Sequence, residues 1–184
     1  MNKAYLQSDR TAASDEAYTP FYAVAPLLEF IPRDWRVWCP FDEPWSAYCR
    51  TFAENGYNVV HSSLKCGQDF FEYQPCGGFD VIVSNPPYSV KDKVINRIYE
   101  LDKPFALLMP VAALQAKKRF NHFKTGLELL VLNERVDFHT RGNFEKPKKG
   151  VHFGSMYFCK GILPDKLVFR ELNKFQRPLK EGIS

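Results

Sequence analysis

Short continuous apolar runs alternate along this chain with segments of helical spacing. The runs are Arg36-Val37-Trp38-Cys39, Tyr57 to His61, Phe79-Asp80-Val81-Ile82-Val83 and Pro104 to Met109. Their length and their β-branched and aromatic content predict strands, and the last two read as strands buried on both faces. Between them, Trp45 to Asn55 places Trp45, Tyr48, Cys49 and Phe52 along one side. Gly56 follows at the position where a helix stops. Phe21 to Ile31 predicts a short helix with Thr19 as cap, Pro20 in its first turn, Pro26 near the start or breaking it, and Pro32 at its end. Val90 to Leu101 and Ala112 to His122 predict further helices. Leu127 to Phe138 and Val151 to Ile162 contain strands joined by a basic loop, and Pro164 to Phe175 predicts a last helix.

Strands alternating with helices predict an α/β domain with a mainly parallel sheet, and two late strands joined directly predict an antiparallel edge pair. Ligands of such sheets bind outside the carboxyl ends of the strands. Residues 1–17 read as a flexible lead-in and 18–184 as a single domain. A chain of 184 residues with 45% hydrophobic and 15% aromatic residues suits one sizeable core. The five cysteines include no C-x-x-C pair and no histidine at metal spacing. A disulfide framework and a metal site are therefore not expected, and a reducing, cytoplasmic setting is. No apolar run approaches membrane length, and Met1 to Glu16 lacks a signal-peptide core. The net charge of +4 is mild, but ten Lys/Arg face three Asp/Glu between His139 and Lys180, which suits a phosphate-bearing partner.

The chemistry is concentrated after the third run, in Asn85-Pro86-Pro87-Tyr88. Two consecutive prolines stiffen this loop. The Asn85 side-chain oxygen and the Pro86 carbonyl then form two acceptors on a rigid frame, able to take both hydrogens of an exocyclic NH2. The lone pair of an aromatic amine is delocalised into its ring. Two acceptors on its N–H bonds draw the nitrogen towards tetrahedral geometry and make it nucleophilic, and catalysis is then mainly positioning. Tyr88 offers a face for stacking a flipped-out base.

This loop closely resembles that of S-adenosylmethionine-dependent amino-methyltransferases acting on adenine N6, and the stretch from about 18 to 162 is similar to small phage-borne adenine methyltransferases. The resemblance implies a Rossmann-like class I methyltransferase fold, S-adenosylmethionine as cofactor, and Asn85, Pro86, Pro87 and Tyr88 as the catalytic loop. Tyr18-Thr19-Pro20 resembles the N-terminal cofactor element near the methionine end. Gly67-Gln68-Asp69-Phe70-Phe71 resembles the segment whose Asp receives the cofactor's adenine amine, which implies that Asp69 and Phe70 bind cofactor. Gly154-Ser155 after Phe153 resembles the family's late strand.

The first strand departs from the family's D-x-F-x-G-x-G turn, reading Cys39-Pro40-Phe41-Asp42-Glu43-Pro44-Trp45-Ser46. Pro40 and Phe41 fit, no glycine is present, and Asp42 and Ser46 are expected to serve the cofactor's ammonium and the helix start. The second strand ends His61-Ser62-Ser63 where the family has an acid, so His61 and Ser62 are expected to meet the ribose. Little chain separates this strand from Asp69, so the sheet is expected to be trimmed there. No separate target-recognition domain is expected. The loop from His139 to His152 supplies Arg141, Lys146, Lys148, Lys149 and Phe144, and with Phe153 these are the expected substrate contacts, suited to phosphate and base stacking. DNA is the favoured substrate. RNA, a protein glutamine amide, and a non-catalytic binding or regulatory role on the same scaffold remain open.

Overall fold

The computed structural model describes residues 17–140 and 153–175. A seven-stranded sheet forms the body, in the order β3-β2-β4-β5-β8-β6-β9. Its strands are β2 (Arg36–Pro40), β3 (Asn58–Ser62), β4 (Val81–Ser84), β5 (Phe105–Pro110), β6 (Glu128–Leu132), β8 (Ser155–Lys160) and β9 (Leu167–Arg170). The end of the expected lead-in and the start of the basic loop form a separate antiparallel pair, β1 (Ala17–Tyr18) with β7 (His139–Thr140). The helices are α1 (Phe21–Val24), α2 (Ala47–Glu54), α3 (Lys91–Leu101) and α4 (Lys117–Phe123).

Pairing is parallel for β2 with β3, β2 with β4, β4 with β5 and β6 with β9; β8 runs antiparallel to both β5 and β6. This is the expected Rossmann-like α/β arrangement with its antiparallel pair. The strand period of two sends alternate residues to opposite faces. Val37, Cys39, Val81, Val83, Ala106 and Leu108 join one core with α1 and α2, whereas Trp38, Ile82, Phe105, Leu107 and Met109 join a second core with α3.

Two expectations change. Pro164 to Phe175 is not a helix: Leu167–Arg170 pairs in parallel with β6 and extends the sheet beyond the antiparallel pair. Leu-Val-Phe-Arg carries strand-favouring side chains, and an open sheet edge outweighs a weak helical pattern. Ala112 to His122 is not one helix: a 3-10 turn over Val111–Leu114 precedes α4, where Arg119 is buried, donates to the Ala113 carbonyl and pairs with Asp92. Pro26 shortens the first helix, which passes into a 3-10 turn over Ala25–Glu29.

The sheet is trimmed after β3. Residues 63–80 hold a 3-10 turn and loops in place of a helix and strand. Aromatic rings cover the bared face of β2 instead: Trp38 lies 4.7 Å from Phe79, 5.4 Å from Phe70 and 6.3 Å from Tyr73 between ring centres. Because β2 connects outwards to β3 and β4 connects the other way to β5, the chain reverses direction between adjacent β2 and β4. The crevice at their carboxyl ends is where such a sheet accepts a ligand.

Candidate functional site

A cleft of about 240 Å³ opens at that crevice. Its walls come from β1, the loop after β2, the start of α2, the turn after β3 and the loop after β4. Of the residues expected to act, Tyr18, Thr19, Phe41, Asp42, Ser46, Asn85 and Pro87 line it together. Glu43, Trp45, Tyr48, Ser63, Leu64 and Lys65 line it as well.

The loop after β2 turns without glycine. Phe41 itself takes the left-handed backbone, φ 69°. This conformation costs a non-glycine residue about 1–2 kcal/mol. The Phe41 ring packs 4.8 Å from Phe70, which offsets that cost. The turn drops Asp42 into the cleft and leads to Ser46, whose hydroxyl caps α2 by accepting from the Cys49 N–H at 3.2 Å.

Asp42 is the electrostatic centre. Burial pushes its carboxyl up to about 7, while hydrogen bonds from Ser84 and Ser46 pull it part of the way back. Ser84, fully buried at the end of β4, has one proton and two close acceptors: the Pro40 carbonyl at 2.5 Å and Asp42 Oδ2 at 2.6 Å. Both contacts are satisfied together when Asp42 is protonated and donates to Ser84 while Ser84 donates to Pro40. A cation entering the cleft would favour the ionised form instead.

Asn85 follows directly. Its Nδ2 donates to the Ala17 carbonyl at 3.1 Å. That contact fixes which way the amide points, and Oδ1 is left buried without a hydrogen-bond partner. A buried acceptor of this kind is costly unless a ligand meets it. Pro86 is buried behind it and Pro87 shares the cleft wall. Tyr88 stands edge-on to Phe153 at 5.8 Å, and Phe153 also lies 6.4 Å from Phe138. Phe153 keeps 38% of its surface exposed, so an aromatic wall continues from the Asn85 loop towards solvent.

Behind Asp42, Tyr157 donates to the Ala23 carbonyl at 3.0 Å, which leaves its oxygen to accept from Tyr48 at 3.1 Å. Burial, with Tyr157 alongside, pushes the Tyr48 phenol well above its ordinary value, and the Thr19 hydroxyl draws it partly back. Thr19 and Tyr48 thus form a neutral polar floor. On the outer side, Tyr18 and Trp45 pack at 5.1 Å.

Other expected residues lie elsewhere. Ser62 is buried at the end of β3, and its oxygen accepts from the Trp38 indole at 2.9 Å, so it does not open to the cleft. Asp69 is engaged locally, its Oδ1 accepting from the Phe71 N–H at 3.0 Å in a turn. Phe70 is buried among Trp38, Phe41 and Phe71 and works as core. Pro20, Pro40 and His61 are not among the residues that line the cleft. Arg141, Phe144, Lys146, Lys148 and Lys149 lie outside the described residues. Glu43 and Trp45 could have been found by their place in the same turn as Asp42; Tyr48 was hidden because its helical spacing reads as core.

Among the described residues, no group of three or more His, Cys, Asp or Glu could hold a metal ion, and no helix is long and apolar enough to cross a membrane. No family model matches the chain, and no curated protein matches it. Among solved structures, it is similar to a candidate class I S-adenosylmethionine-dependent methyltransferase from Listeria monocytogenes. The two are 12% identical, the match covers 87% of this chain and 67% of that one, and the TM-score is 0.48.

Proposed function

We propose that this protein is an S-adenosylmethionine-dependent methyltransferase acting on the N6 amine of adenine in DNA. One observation carries the reading: the Asn85 amide is anchored by its nitrogen to Ala17, so that its buried, unpartnered oxygen is the end offered to a ligand. An acceptor held in that sense suits a donor such as an exocyclic NH2.

The residues of the cleft fit the cofactor on chemical grounds. Asp42 is a carboxyl held near neutrality, and a positively charged group beside it would ionise it and gain a charge-assisted hydrogen bond. Thr19 and Ser46 supply neutral polar contacts, and Phe41 and Trp45 supply apolar walls. When bound, the cofactor supplies an electrophilic methyl group on a sulfonium. Everything else is done by the chain. Asn85 Oδ1 and the Pro86 carbonyl accept the two amine hydrogens. Tyr88 and Phe153 flank the base. The Asn85 loop is kept rigid by its prolines, so the nitrogen would be aligned for attack and would lose its proton to solvent after the methyl group is transferred. The basic residues between Arg141 and Lys149 suit phosphate contact and weak sequence selectivity.

The non-catalytic reading drew its support from the missing glycines. Phe41 takes the left-handed conformation that a glycine would have supplied, which weakens that support.

Transfer of labelled methyl groups to DNA, RNA and protein tests the proposal. DNA should be labelled at adenine N6, and Asn85→Ala should lower the rate by about 100- to 1,000-fold, the scale of losing one oriented polar group at a reacting centre. Equal background labelling of all three, unchanged in Asn85→Ala, would remove the enzymatic reading; preferential labelling of RNA or of a glutamine amide would redirect the substrate.

A further inference from the structure

The carboxyl end of β3 offers no anionic acceptor to the cleft. Ser62 is committed to Trp38, and the residues that follow it into the cleft wall are Ser63, Leu64 and Lys65. The loop after β2 reaches across the gap. Glu43 Oε1 accepts from the Ser63 hydroxyl at 2.7 Å. Ser63 is buried, and its oxygen also accepts from the Cys66 N–H at 3.4 Å, so its single proton goes to Glu43. The Glu43 carboxylate is therefore pinned over the end of β3 by a side chain of β3's own exit turn. Among the described residues, Asp42 and Glu43 are the carboxylates lining the cleft, and Asp42 is engaged by Ser84 and Ser46.

We propose that Glu43, positioned by Ser63, accepts the vicinal hydroxyls of the cofactor's ribose. The inference rests on the nucleoside-bearing cofactor proposed above. A carboxylate presents two oxygens in one plane with about four lone-pair sites, and Ser63 occupies one of them. The remaining sites match two neighbouring O–H donors, and charged acceptors make roughly twice the bond of neutral ones. The apolar flanks of this end also suit a nucleoside. Leu64, 57% exposed, and Phe41 both line the cleft near Glu43 and offer surfaces for a planar base. The acid comes from the loop after β2 rather than from the end of the second strand, and it takes the ribose role expected of His61 and Ser62.

Calorimetry on the full chain with S-adenosylmethionine and its 2′-deoxyribose analogue tests this. The wild type should prefer the ribose form by about tenfold, the value of one charge-assisted hydrogen bond. Glu43→Gln should weaken the ribose form by about tenfold while leaving the deoxy form within about twofold, so that the preference disappears. Ser63→Ala should produce a smaller loss in the same direction, and thermal melting of both variants should report an intact fold. A preference that survives Glu43→Gln, or equal weakening of both ligands, overturns the role of Glu43 while leaving the cofactor reading standing. If the wild type binds neither ligand at millimolar concentration, the cofactor reading fails and this inference falls with it.

Discussion

The loops that leave β2 and β4 meet across the contact between Asp42 and Ser84, yet they hold their positions by different means. The β4 loop is stiffened covalently: Pro86 and Pro87 fix the backbone, and the Asn85 amide is tied to Ala17. The β2 loop is braced only beyond Asp42, by the Glu43–Ser63 bond and Pro44. It carries a left-handed Phe41, a carboxyl raised to about 7 and a serine hydroxyl serving two acceptors. The β4 loop is prearranged whatever fills the cleft. The β2 loop holds an unfavourable arrangement of the kind that a ligand relieves.

The largest effect should come from Asp42. Its native value of about 7 lies above the ordinary 3.8, so the folded protein keeps a proton that the unfolded chain releases. Stability contributed at this position therefore falls as pH rises from about 4 to 7 and stays low above that. Asp42→Asn should match the wild type near pH 4 and exceed it at pH 8 by at most about 4 kcal/mol, read by urea unfolding at both pH values. A gap that shrinks with rising pH would mean that the carboxylate is stabilised in the native state and that the two loops do not differ in this way. The same variant should lose affinity for S-adenosylmethionine.

A smaller effect separates backbone from side chain at Phe41. Both Phe41→Ala and Phe41→Gly lose the contact with Phe70, but only alanine keeps the left-handed strain. The glycine variant should be the more stable of the two by about 1 kcal/mol in chemical denaturation, the reverse of the usual order. Alanine equal to or better than glycine would show that the turn is unstrained. The smallest effect belongs to the braced loop: Pro87→Ala should cost about 0.4–1 kcal/mol through the unfolded chain. A loss much beyond that would mean that Pro87 does more than stiffen.

What could be read from the sequence follows the same division. The strands β2 to β5 announce themselves because a parallel sheet covered on both faces requires unbroken apolar runs. The Asn85 loop is legible because four consecutive residues carry both acceptors of its proposed role. The β2 loop was only half legible. Asp42 and Ser46 stand out as polar residues in a turn, but the backbone of Phe41 is invisible in a residue name. Ser63 reaches Glu43 from twenty positions away. Asp69 and Phe70 stand out as a short motif, but the names do not show that Asp69 accepts from the Phe71 N–H in a turn or that Phe70 packs against Trp38 and Phe41. β9 was missed because a four-residue strand-favouring run is too short to announce itself, and pairing with β6 decides its conformation.

The bond between Asn85 and Ala17 has a consequence of another kind. A carboxamide is nearly symmetric in shape, so an asparagine can offer either end to a visitor. Here the choice is made by a main-chain carbonyl sixty-eight positions away in sequence. That carbonyl belongs to a residue already alanine, in a two-residue strand held by His139 and Thr140. Alanine scanning would pass over it without a signal, and substitutions at position 17 could accumulate while the contact persisted. The polarity of the Asn85 amide is thus inherited from how the chain is threaded, and a change in strand pairing could invert it with every side chain of the motif intact.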